Sequence, residues 1–303
     1  MDGTTAISNG FSPDAGMGER KPWIGLWTLV AIVSPTAEIA CQLVLGYQPD
    51  WLVWARITVL AAVIVASTRI ESLVRLRPFA LAYLVLFVAA ITSTLAQNSD
   101  TYEAATARGF VWSQLLLVLV GTIAVDVPAL LWCGLRQRDR FFLRAGNLAA
   151  PVGPLGVRWS AFAPIFAVIG ALSAWLFIVW SGTDAVASWS MALIAVLMAA
   201  RNAFHEELLY RNLLIGALKP HFGAIHAVAV SAFIFGVGHW NGLPAGVLGV
   251  LMTLALGLVA GIAMVQTKGM FWSWFMHFVP DCVLFYYWGI GSVAHATIGT
   301  GQL

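Results

Sequence analysis

The chain has 303 residues, of which 60% are hydrophobic and only 10% charged, with a formal net charge of +2 and a mean hydropathy of +0.85. Soluble domains carry about 25% charged residues, and a soluble chain so poor in charge would leave large apolar patches facing water. The composition excludes a soluble enzyme, a disordered tail protein and a basic nucleic-acid binder, and it reads as an integral membrane protein.

The first 22 residues are polar, rich in Gly, Ser and Asp, and lack an early basic cluster, so they read as a flexible tail rather than a signal peptide. Apolar runs then predict helices over 23–47, 51–67, 78–96, 110–135, 159–181, 186–218, 222–240, 244–266 and 270–290. At about 20 apolar residues per crossing, this predicts an all-α fold, a polytopic transmembrane helical bundle of eight or nine spans. The run 51–67 is short and holds Arg56, while 186–218 is longer than a bilayer needs and is expected to protrude or break. Polar breaks separate the runs, among them Gln48–Asp50, Arg69–Arg77, Gln97–Arg108, Gly182–Asp184, Lys219–His221 and Asn241–Pro244.

The expected organisation is a tail over 1–22, a four-helix membrane region over 23–135, a basic loop over 136–158, a second membrane region over 159–290 and a C-terminal tail over 291–303. Basic residues fall in alternate loops. Arg20 and Lys21 precede the first span, Arg69, Arg75 and Arg77 follow the second, and Arg136, Arg138, Arg140, Arg144 and Arg158 follow the fourth. The positive-inside rule places the N-terminus and the 136–158 loop in the cytoplasm. Nine spans would put the C-terminus outside and eight would put it inside. Cys41, Cys133 and Cys282 are scattered through apolar runs, a pattern for neither a disulfide framework nor a thiolate metal site.

A charge at membrane depth costs roughly 2.5–3.5 kcal/mol on insertion scales, so each needs a partner or a task. Glu38 and Arg56, near the same end of consecutive spans, suggest an ion pair or snorkelling to the surface. Asp126 sits beside Pro128, where a local hydrogen-bonding role is expected. The second half concentrates such groups. Arg201-Asn-Ala-Phe-His-Glu-Glu-Leu-Leu-Tyr-Arg211 carries His205, Glu206, Glu207 and Arg211. Glu207 and Arg211 stand at i and i+4, the spacing of a helical ion pair, while Glu206 is turned away from that row. Downstream, Phe235 leads to His239, and His277 precedes Asp281 by one helical turn. An intramembrane carboxylate with imidazoles can hold and deprotonate water, because desolvation makes a carboxylate a stronger base.

These residues resemble the motifs of the CAAX prenyl endopeptidase and bacteriocin-processing (CPBP, or Abi) family of intramembrane glutamic proteases. Its Glu-Glu-x-x-x-Arg motif stands as Glu206 to Arg211, its Phe-x-x-x-His as Phe235 to His239, and its His-x-x-x-Asn or Asp as His277 to Asp281. The resemblance covers roughly 160–290. It implies that Glu206 is the general base, that His239 assists or holds the water, and that His277 and Asp281 line the site and stabilise an oxyanion. Glu207 with Arg211 would organise the helix. Many relatives end the third motif in Asn, so Asp281 could instead act protonated or orient His277. No cofactor or metal is implied, and the expected partners are membrane lipids and a peptide or protein substrate, lipidated or not, with no nucleic acid. The expected location is the cell membrane of a bacterium or archaeon.

Two other readings stand beside this one. His205-Glu206 begins like the zinc motif His-Glu-x-x-His, but position 209 is Leu. His239, His277 and a carboxylate could still form a zinc-dependent version of the protease. A non-catalytic immunity factor or transporter could also use the polar cluster, although a transporter should show related halves and none stands out. His221, His226 and His295 match no motif and read as surface or packing residues. One geometric difficulty is plain: ideal straight spans would place His239 and His277 at different depths. Either the Asn241–Pro244 turn dips into the membrane or one helix is short and tilted.

Overall fold

The computed structural model describes residues 23–47, 49–136, 143–153, 156–180 and 189–299. The expected N-terminal tail with Arg20 and Lys21, Gln48, Arg138, Arg140 and the Gly182–Asp184 break lie outside them, as do the side chains of Arg75, Arg136 and His295.

The fold is all-helical, with no strand among the described residues. The first half contains α1 (Trp23–Leu45), α2 (Asp50–Ala66), α3 (Arg77–Gln97), α4 (Asp100–Ala107), α5 (Phe110–Gly121) and α6 (Val127–Arg136). The second contains α7 (Trp159–Trp180), α8 (Trp189–Glu206), α9 (Gly216–Phe222), α10 (Ala224–Gly238), α11 (Gly246–Thr267) and α12 (Phe271–Gly299). Two of the polar breaks are themselves helical. A 3-10 turn fills Glu71–Leu76, and α4 forms because the Ser99 hydroxyl accepts the Tyr102 N–H at 3.2 Å.

Among the described residues, four stretches are long and apolar enough to cross a bilayer: Arg77–Gln97, Val111–Cys133, Trp159–Trp180 and Gly246–Thr267. Trp51–Ala66 and Ala224–Gly238 are apolar but shorter. The 15 residues of α10 cover about 22 Å at 1.5 Å each, less than the roughly 30 Å hydrocarbon layer. Of the eight or nine expected crossings, four are shown by length and composition among the described residues. α8 and α12, which carry the ionisable residues, are not among the four. Large side chains such as Leu172, Leu176 and Val179 on α7 and Leu248 and Leu251 on α11 are exposed, as a lipid-facing surface requires.

Two departures from α-geometry matter. Between α5 and α6, Thr122–Asp126 is π-helical, with the Val127 N–H reaching back to the Thr122 carbonyl just before Pro128. The long run expected over 186–218 breaks by widening, because Glu207–Ile215 is π-helical between α8 and α9. This segment is the centre of the molecule: it touches α3, α6, α10 and α11, and every residue in it except Tyr210 is buried.

Around it, α12 packs on α8, α7 and α11, and α10 packs on α11. Gly257 and Gly261 let α10 and α11 approach closely. A Cβ at Gly257 would stand 3.0 Å from Ala232 Cα, and one at Gly261 would stand 2.9 Å from Val228 Cγ1. Small residues four apart are the usual device for close helix contact in lipid. Gly261→Leu is expected to push the helices apart and cost about 1–3 kcal/mol, read as a lower melting temperature in detergent. An unchanged melting temperature would show that the contact carries no strain.

The basic loop is bound to the α11–α12 turn. Asn147 N–H donates to the Thr267 carbonyl at 2.8 Å, Met270 N–H to the Arg144 carbonyl at 2.8 Å, and the Trp272 indole to the Leu148 carbonyl at 3.0 Å. The Trp159 indole donates to Gln266 at 2.9 Å. Lys268, in the left-handed conformation at φ 55°, is held at this end of the bundle by the Arg144 side chain, whose Nε–H donates to its carbonyl at 2.8 Å. Burial first, and Lys268 second, lower the pKa of Lys219 from its ordinary value.

Candidate active site

α8 delivers Glu206 as its last residue, and the π-helical segment opens with Glu207. The two neighbouring carboxylates have different surroundings. Glu207 is fully buried and its oxygens are engaged: Oε1 lies 3.3 Å from Arg211 Nη1 and 3.0 Å from His277 Nδ1, and Oε2 accepts the Ser273 hydroxyl. The i, i+4 pairing of Glu207 with Arg211 is as the spacing predicts. Arg211 is equally buried and lies over the Phe235 ring at 3.9 Å, a cation–π contact away from water. Glu206 is different. Its Oε2 has no hydrogen bond among the described residues, yet it stands 3.3 Å from His277 Nε2 and 3.8 Å from His239 Nε2.

The two histidines come from α12 and from the C-terminal end of α10. His239 Nδ1 faces the Phe235 carbonyl at 2.8 Å. A carbonyl can only accept, so Nδ1 carries the proton and Nε2 is directed at Glu206. Phe235, fully buried, spaces the site, with its ring centroid 4.5 Å from His239, 5.6 Å from His277 and 5.0 Å from Tyr210. The depth difficulty is resolved by the short α10, which ends at the level of the second turn of α12. The following turn is tied to α1 by Gln42 donating to Asn241 at 3.1 Å. The side chains of Glu206 and His239 are 19% and 25% exposed, against 4% for His277, so the cluster is open on its Glu206–His239 side.

Asp281 lies one turn beyond His277, with Oδ2 3.6 Å from His277 Nε2. The same oxygen accepts from Asn202 Nδ2 at 3.0 Å. Asn202 and Ser273 take part in the site, and the motif reading did not include them. Both had a signal, since Asn202 precedes Glu206 by four residues and Ser273, His277 and Asp281 recur at intervals of four on α12. All six motif residues, Glu206, Glu207, Arg211, His239, His277 and Asp281, meet in one connected cluster. Among the described residues, no group of three or more His, Cys, Asp or Glu side chains is arranged to hold a metal ion.

Residues 186–283 match the family model for type II CAAX prenyl endopeptidase Rce1-like proteins. This segment is about a third of the chain, and it spans all three motifs. It is the kind of domain that the motifs resemble, and the family is one of proteases, hydrolases acting on peptide or protein substrates. No curated protein and no solved structure matches the chain. With its apolar helices, the chain is an integral membrane protein with a CAAX-protease-like segment.

Other ionisable groups settle differently. Glu38 and Arg56 form the expected ion pair, and Arg56 also donates to the Ser34 carbonyl. Asp126 does not serve its own turn beside Pro128. It binds Arg201 Nη2 at 3.1 Å and pairs with His205 Nδ1, joining the first half to α8. A guanidinium and an imidazole from another helix satisfy a buried carboxylate better than a local backbone group can. His221 packs beside Phe222 and His226 is exposed, as their lack of a motif suggests. An apolar groove of about 500 Å³ runs between α7, α8 and α12, lined by Leu172, Trp175, Val196, Cys282 and Tyr286 among others.

Proposed function

We propose that the protein is an intramembrane glutamic endopeptidase. One observation carries this reading: two imidazole nitrogens converge on a Glu206 oxygen that has no hydrogen bond among the described residues, beside a second carboxylate already committed to structure. Glu206 takes a proton from a water molecule, whose oxygen attacks the carbonyl carbon of the scissile peptide. His239 Nε2 orients that water. His277, held through Nδ1 by Glu207, presents Nε2 to the carbonyl oxygen as negative charge develops there. The C–N bond then breaks, and Glu206 returns its proton to the leaving amine nitrogen. Asp281 orients His277. The apolar groove beside Cys282 suits an apolar or lipidated portion of the substrate.

We further propose a cytoplasmic N-terminus and nine crossings, of which four form the region before the basic loop. The contacts of Arg144 and Asn147 with the 267–270 turn support this, because they put the end of α11 on the side of the loop and so make α12 a further crossing. His277, six residues into α12, then lies about 9 Å from that end at 1.5 Å per residue, nearer the cytoplasmic face.

The test uses protein reconstituted in liposomes and a fluorogenic peptide with a CAAX-type end, prepared with and without a prenyl group. Wild type is expected to cleave it, and His239→Ala to cleave it at least tenfold more slowly, with the loss in kcat. Wild-type rates in the variant would remove His239 from the mechanism. Stoichiometric zinc in the wild type, lost with the histidine, would replace the metal-free mechanism with a zinc-dependent one.

A further inference from the structure

We infer that Asn202 is a positioning residue for the hydrolytic site, holding Asp281 against His277 so that Glu206 is left to act on water. The inference rests on the peptidase reading above and adds a residue outside the three motifs.

Three carboxylates surround one imidazole. Glu207 Oε1 faces His277 Nδ1 at 3.0 Å, while Glu206 Oε2 at 3.3 Å and Asp281 Oδ2 at 3.6 Å both face Nε2. Only one hydrogen can sit on Nε2, so before substrate binds Glu206 and Asp281 compete for it, and the carbonyl oxygen takes it over as the reaction proceeds. A base that captures this hydrogen is held by the histidine and is poorly placed to take a proton from water. The geometry limits that capture by pinning Asp281. Asn202 Nδ2 donates to Asp281 Oδ2 at 3.0 Å, the same oxygen that faces the ring. An amide nitrogen can only donate, so the oxygen it grips is fixed as an acceptor, aimed at His277 and unable to rotate away.

The placement suits this role. Asn202 lies one helical turn before Glu206 on α8, and Asp281 lies one turn after His277 on α12, the two helices packing along their length. The bond therefore bridges the base-bearing helix and the histidine-bearing helix one turn from the reacting groups. Without it, Asp281 is a buried carboxylate whose rotamer is free to leave Nε2 to Glu206 alone.

A simple cross-link between helices would make a different prediction, and an exchange of the two side chains separates them. Asn202→Ala is expected to lower kcat about tenfold, a part of the 10²–10⁴ that general-base catalysis supplies, with KM within twofold of wild type. In the double variant Asn202→Asp with Asp281→Asn, an amide on α12 donates to a carboxylate on α8, so the cross-link returns and the melting temperature recovers. The atom facing Nε2 is now an amide NH₂, which cannot accept, so kcat stays low. Recovery of kcat in the exchanged variant would reduce Asn202 to a structural tie. A kcat within twofold of wild type in Asn202→Ala, or a loss confined to KM, would overturn the inference as well. Wild type and Glu206→Gln run in the same assay keep the two levels apart. An inactive wild type, or an active Glu206→Gln, overturns both the peptidase reading and this inference, whereas active wild type, dead Glu206→Gln and a silent Asn202→Ala overturn this inference alone.

Discussion

Glu206→Gln is expected to lower the rate of peptide hydrolysis by about 10²–10⁴-fold, the usual contribution of a positioned general base, while the melting temperature in detergent stays within a few degrees of wild type. The contrast with its neighbour makes this prediction sharp. Glutamine keeps the length and shape of the side chain, and the oxygen that matters, Oε2, makes no hydrogen bond among the described residues that the change would break. It lies near His277 and His239 at 3.3 and 3.8 Å, close enough for a shared water and long for a strong ion pair. The amide cannot take a proton, so the chemical step fails where the structure does not. The measurement is single-turnover cleavage beside thermal melting on the same preparation. A Glu206→Gln protein that keeps a tenth of the wild-type rate would place the base elsewhere. One that unfolds would show that Glu206 has a structural partner of the kind Glu207 has.

Much of this site is legible in the sequence because charges are rare in it. Glu206, Glu207, Arg211, His239, His277 and Asp281 stand out against apolar runs, and the i, i+4 intervals of Glu207 with Arg211 and His277 with Asp281 are local facts that any helix preserves. What was not legible depends on contacts distant in sequence. The π-helical widening at Glu207–Ile215 has no marker in its residues, since it is set by the α3, α6, α10 and α11 side chains packed round it. Periodicity at 3.6 residues predicts a continuous helix there. Proximity points Asp126 to the turn at Pro128, yet its partners Arg201 and His205 are 75 and 79 positions away. The meeting of His239 with His277 required knowing that α10 is short, and the apolar run over 222–240 conceals its end, because Gly238 and His239 close the helix while apolar residues continue on both sides. Asn202 and Ser273 carry no charge to set them apart in the sequence, and their roles depend on Asp281 and Glu207, which are distant in sequence.

Arg211→Met is expected to be the most destabilising single change in the second half, costing about 3–5 kcal/mol, the usual effect of removing one member of a buried ion pair. The side chains of Arg211 and Glu207 are both fully buried, 3.3 Å apart, and the guanidinium is flanked by the Phe235 ring rather than by water. Methionine fills the volume over the ring and leaves Glu207 with only His277 and Ser273 to offset its charge. The loss is not that of the pair itself, because two charges taken out of water together can be close to neutral in net stability. It is the cost of one carboxylate left uncompensated in a low-dielectric interior. A second variant checks that distinction. Glu207→Gln with Arg211→Met removes both charges, and it is expected to melt above Arg211→Met alone although it carries one more substitution. Additive losses in the double variant would mean that the two residues are not energetically coupled. The activity of the double variant then isolates what Glu207 does for His277: the neutral amide oxygen still accepts from Nδ1, so the ring keeps its orientation, but no negative charge stands beside that nitrogen. A double variant that folds, binds substrate and turns it over slowly would place the function of this pair in the carboxylate charge beside His277, whereas wild-type turnover would confine it to holding the π-helical segment against α10 and α12.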